Sequence, residues 1–347
     1  MNLSEFKVTF DWLLNDYVQQ KINDAKNLLA HDKLNKIIDY IQTFMFSWWK
    51  RIRPYVLYLT YKWLGWKNEE AILRFWIIFE LLHSMALIHD DIIDQSEKRH
   101  NVATMHYYTH KLLWEKDMHI ARSQALLVGD LLLSWVYELR YKNHDFDEKL
   151  LYAARQNVHH MIEEVILGQM IDVHMMVWEL ADEKLIDKKN QYKTASYTFT
   201  RPMLTWAVLV GSNEIVLDLV KRLWDCIGMA FQVRDDLKDI LWTETDKRVF
   251  SDIQEWQQTY FTNYVFKSWS EKDKKLLKNS LGKKLTDTQI KKLQKMFYDS
   301  GAIDFVKSLI KKYAEQAQHI LDKIIFEDET SKLAFGSLIK KIWDLSV

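Results

Sequence analysis

An all-α protein is what this sequence predicts, on three observations. Glycine and proline are scarce, 8 and 2 in 347 residues, so few tight turns can be made. Apolar residues recur at helical spacing along almost the whole chain. No stretch shows the sustained alternation of a half-buried strand. Apolar residues at 48% and charged ones at 28% are a globular balance with material for a substantial core. No linker, solenoid-length repeat or low-complexity tail interrupts the pattern, so residues 1–347 read as a single-domain helical bundle.

Taken in order, the elements carry their own signals. MNLSEFKVTFDWLL at the start lacks a basic segment followed by an unbroken apolar run, which argues against a signal peptide. FWIIFELLHSMALI, the longest apolar stretch, contains Glu80 and His83 and is too short to span a bilayer. Near the other end, Thr286 or Asp287 can cap a helix whose Ile290, Leu293, Met296 and Phe297 share one face, and Ser300-Gly301 can stop it. Its lysines read as a solvated face because acidic residues are interspersed. The charges cancel, 48 basic against 48 acidic, so no global field recruits nucleic acid or anionic lipid. The single cysteine, Cys226, excludes an internal disulfide and suits a reducing cytosol. A soluble cytoplasmic protein without a transmembrane segment is the expectation.

Two acidic clusters stand out. In ELLHSMALIHDDIIDQSEKRH, residues 80–100, Asp90 and Asp94 are four apart and share a helix face, with Asp91 beside them. A solvated acidic face is the ordinary reading of such a run. Here it follows Met85, Ala86, Leu87 and Ile88, and carboxylates crowded on an apolar helix repel one another unless a cation neutralises them. GMAFQVRDDLKDI, residues 228–240, repeats the spacing with Asp235, Asp236 and Asp239, some 145 residues on. Facing each other in a helical bundle, the two sets would bind Mg²⁺ ions and, through them, a diphosphate.

With these motifs the sequence resembles the trans-isoprenyl diphosphate synthases, the polyprenyl synthetases. KRIRP at 50–54 resembles the family's basic loop and LLHSMALIHDDIID its first aspartate-rich motif. SQALLVGDLLLS at 123–134, GQMID at 168–172, KTASYTF at 193–199 and AFQVRDDLKD at 230–239 follow in the family's order. The resemblance implies an all-α isoprenoid-synthase bundle with a central active-site cavity. It also implies a homodimer, and condensation of isopentenyl diphosphate with an allylic diphosphate. It assigns the allylic diphosphate, through Mg²⁺, to Asp90, Asp91, Asp94 and Asp235, with Asp236 and Asp239 in support. Arg99, Lys193 and Lys247 (or its neighbour Arg248) would add positive charge. Lys50, Arg53 and His83 would hold isopentenyl diphosphate. Thr194, Gln169 and Gln232 are either polar orienters near the allylic cation or ordinary helix-packing residues. Met85, five residues before Asp90, lies about 7–8 Å back along the helix, where a growing chain would pass. Its intermediate bulk points to geranylgeranyl diphosphate, with farnesyl or a longer product as alternatives. A class I terpene cyclase and a non-catalytic subunit of a heteromeric synthase are the competing functions.

The sequence departs from the family pattern at several positions. After the first aspartates Arg99 remains, but His100, Asn101 and Ala103 replace the usual Arg-Gly-x-Pro-Thr. His100 can still meet a diphosphate when protonated. Gln257 stands where a lysine is usual. Tryptophan stands where the family has glycine at Trp48, Trp49, Trp66, Trp206, Trp224, Trp242 and Trp256. Glycine at such places permits unusual φ or close backbone approach, which an indole opposes. Eight glycines and fifteen tryptophans are together 23 of 347 residues, about 7%, an ordinary share for glycine alone. Glycine codons read as tryptophan under a different genetic code would give this pattern. Genuine divergence, with the indoles as core aromatics, is the alternative, and it suits Trp76 and Trp135 in their apolar helices.

Overall fold

The computed structural model describes residues 3–47, 60, 64, 69–99, 101–114, 116–142, 146–176, 180, 182–241, 250–324, 332–333, 335–337 and 339–340. The backbone forms two compact units, Met1–Tyr58 with Trp66–Leu151, and Leu59–Gly65 with Tyr152–Val347.

In the first unit, α1 (Leu3–Leu29) buries Phe10, Leu14, Val18 and Ile22, one per turn, which is the stripe a 3.6-residue period makes. α2 (Asp32–Phe46) starts where the His31 ring accepts a hydrogen bond from the Leu34 amide at 3.4 Å, and it buries Ile37, Ile38, Ile41, Phe44 and Met45. α3 (Glu69–Ile93) is apolar on most of its circumference and runs through the core: Phe75, Trp76, Ile78, Leu81, Leu82, Met85 and Ile88 are all buried. Each such large side chain contributes about 1.5–3 kcal/mol through burial. Trp76 meets the Phe10 ring edge-on at 6.3 Å, as a core aromatic does. Strands β1 (Lys98–Arg99) and β2 (Val102–Ala103) pair antiparallel, with Arg99 opposite Val102. No sequence pattern announces this hairpin, since two residues a side are too few to alternate. Asn101 makes the turn in the left-handed region, φ +65°. α4 (Met105–Leu112) and α5 (Met118–Lys142) complete the unit, with Ala121, Ala125, Val128, Leu132 and Val136 facing inward.

The second unit holds nearly all of α6 (Glu148–Met175). It continues through α7 (Glu183–Lys189), a π-helical segment (Asn190–Thr200), α8 (Arg201–Leu209) and α9 (Glu214–Leu241). After these come α10 (Ser251–Gln254), α11 (Tyr260–Ser268), α12 (Glu271–Ser280), α13 (Asp287–Asp299) and α14 (Ala302–Lys323). α13 starts and stops as its sequence predicts. Thr286 and Gln289 form a reciprocal capping box, Leu293, Met296 and Phe297 are buried, and Gly301 turns the chain at φ +77°. The segment 190–200 differs from the plain α-helix expected of it. Its wide π-helical backbone presses against α6 and α9 at two glycines. A Cβ on Gly168 would lie 2.4 Å from the Lys193 amide nitrogen, and one on Gly228 would lie 2.7 Å from Ala195 Cα. Trp206 and Trp224 are buried in this unit, and Trp224 stacks on Phe199 at 6.0 Å. Trp48, Trp49, Trp66 and Trp242 lie outside the described residues.

Candidate active site

The first aspartate cluster is built by the end of α3 and the hairpin that follows. Asp90 and Asp91 occupy the last turn of α3, and Asp94 closes it by donating its amide to the Asp90 carbonyl at 2.8 Å. The hairpin folds Arg99 back on them. Its Nε donates to Asp91 Oδ1 at 2.8 Å, and its Nη2 reaches Asp91 Oδ1 at 2.7 Å and Asp90 Oδ2 at 3.3 Å. Asp91 is fully buried, and its Oδ2 finds no hydrogen-bond donor among the described residues. Burial pushes its carboxyl up to about 6, although Arg99 pulls the other way. Burial also works against the Arg99 charge, but Asp91, Asp90 and Asp94 outweigh it and hold the guanidinium proton more tightly than usual.

His83 is buried in α3, seven residues before Asp90, about 10 Å back along the axis. It stands in the apolar body of the helix rather than beside the carboxylates. Met85 is also buried, and Ala86 is half-exposed. Lys50, Arg53, His100 and Lys247 lie outside the described residues.

The second cluster lies on the last turns of α9. Asp235 is exposed, while Asp236 is buried with its Oδ1 accepting from Gln232 Nε2 at 2.6 Å. Asp236 Oδ2 finds no donor among the described residues. Burial raises its carboxyl to about 7, against the pull of Lys189 and Gln232 and with the push of Asp235 and Asp239. Asp239 clasps the start of α10. Its Oδ1 accepts from the Ser251 amide at 2.9 Å and hydroxyl at 2.6 Å, and its Oδ2 from the Asp252 amide at 3.1 Å. That clasp brings in a carboxylate the motif reading missed. Asp252 is held well above the usual range by burial first, then by Asp239 and Asp236. A lone aspartate in SDIQEWQQT carries no spacing signal, so only the fold could find it.

Lys193, on the π-helical segment, pairs with Asp172 Oδ2 of α6 at 2.5 Å. Burial opposes the Asp172 charge, yet Lys189 and Lys193 keep its carboxyl below the usual range. Thr194 follows on the same segment, half-buried. Gln169, beside the close approach at Gly168, has a buried Nε2 with no acceptor among the described residues.

Among the described residues, no three histidine, cysteine, aspartate or glutamate side chains converge to enclose a metal ion. The donor set still fits Mg²⁺, which keeps several waters and takes one or two carboxylates together with phosphate oxygens. Asp91 Oδ2 and Asp236 Oδ2 are buried carboxylate oxygens of the kind such an ion satisfies.

Comparison with known proteins identifies the family. The sequence pattern of the polyprenyl synthetase family matches residues 23–297. A short chain isoprenyl diphosphate synthase of Methanocaldococcus jannaschii is 29% identical over 287 residues, 80% of this chain and 81% of the relative. A geranylgeranyl diphosphate synthase of Sulfolobus acidocaldarius is 24% identical, with 91% and 92% covered. The crystal structure of geranylgeranyl pyrophosphate synthase from Corynebacterium glutamicum, complexed with isoprenyl diphosphate and magnesium, superposes with a TM-score of 0.86. It shares 26% identity over 96% of this chain and 98% of that one. The chain belongs to the polyprenyl synthetase family and is a prenyltransferase.

Proposed function

We propose that the protein condenses isopentenyl diphosphate head-to-tail with an allylic diphosphate in a Mg²⁺-dependent reaction, and that its main product is geranylgeranyl diphosphate. The observation that carries this is the pair of aspartate clusters, each with a buried carboxylate oxygen that has no donor among the described residues. Asp90, Asp91, Asp94, Asp235 and Asp236 would hold the ions, with Asp239 setting the loop beside them. Bound Mg²⁺ supplies the positive charge that stabilises the departing pyrophosphate.

This chain's own residues do the rest. Arg99 neutralises Asp90 and Asp91 and fixes their direction. Lys193, oriented by Asp172, adds charge for the diphosphate. Lys50, Arg53, His100 and Lys247 carry diphosphate-binding roles on the strength of the motif resemblance, as Gln232, Gln169 and Thr194 carry orienting ones. The apolar body of α3, with Met85 buried in it, supports a water-excluding passage for the hydrocarbon chain.

The family match spans both compact units, which supports one catalytic domain over residues 1–347. No helix among the described residues is long and apolar enough to cross a membrane, which supports a cytoplasmic location. Exposed Leu126 and Leu127 on α5, and Ile166, Leu167 and Met170 on α6, support burial against a second copy in a homodimer. Nucleic acid has no part in this reading.

The test is incubation of purified protein with Mg²⁺, isopentenyl diphosphate and allylic primers of different length, with the products sized. Elongated diphosphates that vanish in Asp90→Ala are the expected result. Cyclic hydrocarbons would make it a cyclase, and absence of turnover a non-catalytic subunit.

A further inference from the structure

Lysine is almost never buried without a partner, yet Lys189, the last residue of α7, is only 6% exposed. Its neighbour Lys188 reaches out to the Tyr192 hydroxyl, so the pair splits between surface and interior. Lys189 Nζ donates to the Gln258 carbonyl at 2.9 Å and lies 3.5 Å from Asp172 Oδ1. The other Asp172 oxygen takes Lys193, and Gln257 also hydrogen-bonds this carboxylate. Gln258 in turn donates its side-chain amide to the Met175 carbonyl of α6. The segment 257–258 is thus tied to α6 and α7, directly behind α10, whose first residues clasp Asp239. Two lysines on one aspartate leave a net positive charge, and Lys189 is the cation that acts on both Asp236 and Asp252.

We propose that Lys189 is a positioning residue for the diphosphate site. Through Asp172 it aims Lys193, and through Gln258 it sets the loop that holds the second aspartate cluster. The inference rests on the proposed diphosphate chemistry and extends it to a residue outside the aspartate motifs. It also accounts for Gln257. Where the resemblance leads one to expect a lysine, this chain has a glutamine, and a buried lysine from α7 reaches the same Asp172 carboxylate.

The experiment compares the full-length protein with Lys189→Met, Lys189→Gln, Gln257→Lys and the double variant Lys189→Met/Gln257→Lys. Calorimetric binding of pyrophosphate with Mg²⁺, kcat and KM for the allylic substrate, and thermal melting are read for each. Lys189→Met should weaken pyrophosphate binding and kcat/KM by about 10- to 100-fold, the range for residues that orient ligand-binding groups. The double variant should recover most of that, because Gln257→Lys returns a cation to Asp172. Lys189→Gln keeps a donor for the Gln258 carbonyl without the charge, and serves if the methionine variant does not fold. Wild-type binding in Lys189→Met or Lys189→Gln would overturn the proposal. So would a double variant that regains melting temperature but not pyrophosphate affinity, since that describes a purely structural ion pair. Wild-type protein that binds pyrophosphate yet makes no product would overturn the proposed reaction and leave the Lys189 comparison decisive. Wild-type protein that binds none overturns both.

The backbone carries a second, independent signal at Trp114 and Trp256, which have φ of +67° and +65°. Side chains with a Cβ are strained there and glycine is not. We infer that residues 114 and 256 are glycine in the protein as its source makes it. Trp76 and Trp135, buried within ordinary helix, show no such strain. Peptide mass spectrometry of the protein purified from its source decides. Glycine masses at 114 and 256 are expected, and tryptophan masses there would overturn the inference.

Discussion

Arg99 Nε donates to Asp91 Oδ1 at 2.8 Å across the turn that joins α3 to the hairpin, so a two-residue strand holds the charge balance of the first aspartate cluster. Removing the arginine leaves a fully buried carboxylate without its cation, a change that costs about 3–5 kcal/mol. Arg99→Met should therefore lower stability in denaturant melts by about 3 kcal/mol and weaken Mg²⁺-pyrophosphate binding. Adding Asp91→Asn should restore most of the stability and none of the binding. Additive losses in the double variant would contradict the pairing.

Met85 sits buried in α3, five residues before Asp90. If the hydrocarbon chain runs along this helix, Met85→Phe should shorten the product and Met85→Ala should lengthen it. Chromatography of the dephosphorylated prenyl alcohols reads the shift. Unchanged product length in both variants would place the chain elsewhere.

His106 is buried at the start of α4, its Nδ1 3.3 Å from Thr104 Oγ1. Burial, with Arg122 and His110 adding to it, lowers its pKa to about 4. The unfolded chain therefore takes up the proton first, near pH 6.5. Stability is fully present above that pH and falls as pH drops from about 6.5 towards 4, by up to about 3 kcal/mol. His106→Gln should flatten this stretch of the melting-temperature profile. An equally steep profile in the variant would assign the acid sensitivity to other groups.

Trp114 is 71% exposed, in a left-handed conformation, with Lys33 over its ring at 4.9 Å. Relief of backbone strain in Trp114→Gly contributes about 1–2 kcal/mol. Against this, an exposed cation–π pair such as Lys33 with the indole is worth about 0.5–1 kcal/mol. The variant should melt slightly higher than the protein with tryptophan. A lower melting temperature would mean that the ring contributes more than its backbone strain costs.

The helices were legible because burial imposes a period on the sequence, as Phe10, Leu14, Val18 and Ile22 show, and α13 was legible down to its Thr286 cap. The aspartate motifs stood out because the spacing of Asp90, Asp91 and Asp94 recurs at Asp235, Asp236 and Asp239. The fold then joined Arg99 to Asp90 and Asp91, Lys193 to Asp172, and Gln232 to Asp236. What stayed hidden had no period to show. Asp252 and Lys189 each depend on partners distant in sequence, and Lys188-Lys189 reads locally like any solvated lysine pair. The π-helical turn was hidden too, since eleven residues of apolar pattern do not distinguish it from an α-helix.

That segment also fixes which side chain faces Asp172. A π-helical turn holds more residues than the roughly 3.6 of an α-helix, so an α-helical version of this stretch would turn a different side chain toward Asp172. Gly168 and Gly228, lacking a Cβ, leave room for the backbone at Lys193 and Ala195, and together they seat the segment against α6 and α9. A methyl group added at either glycine would press on that backbone and shift the Lys193–Asp172 pair without touching a single charged residue.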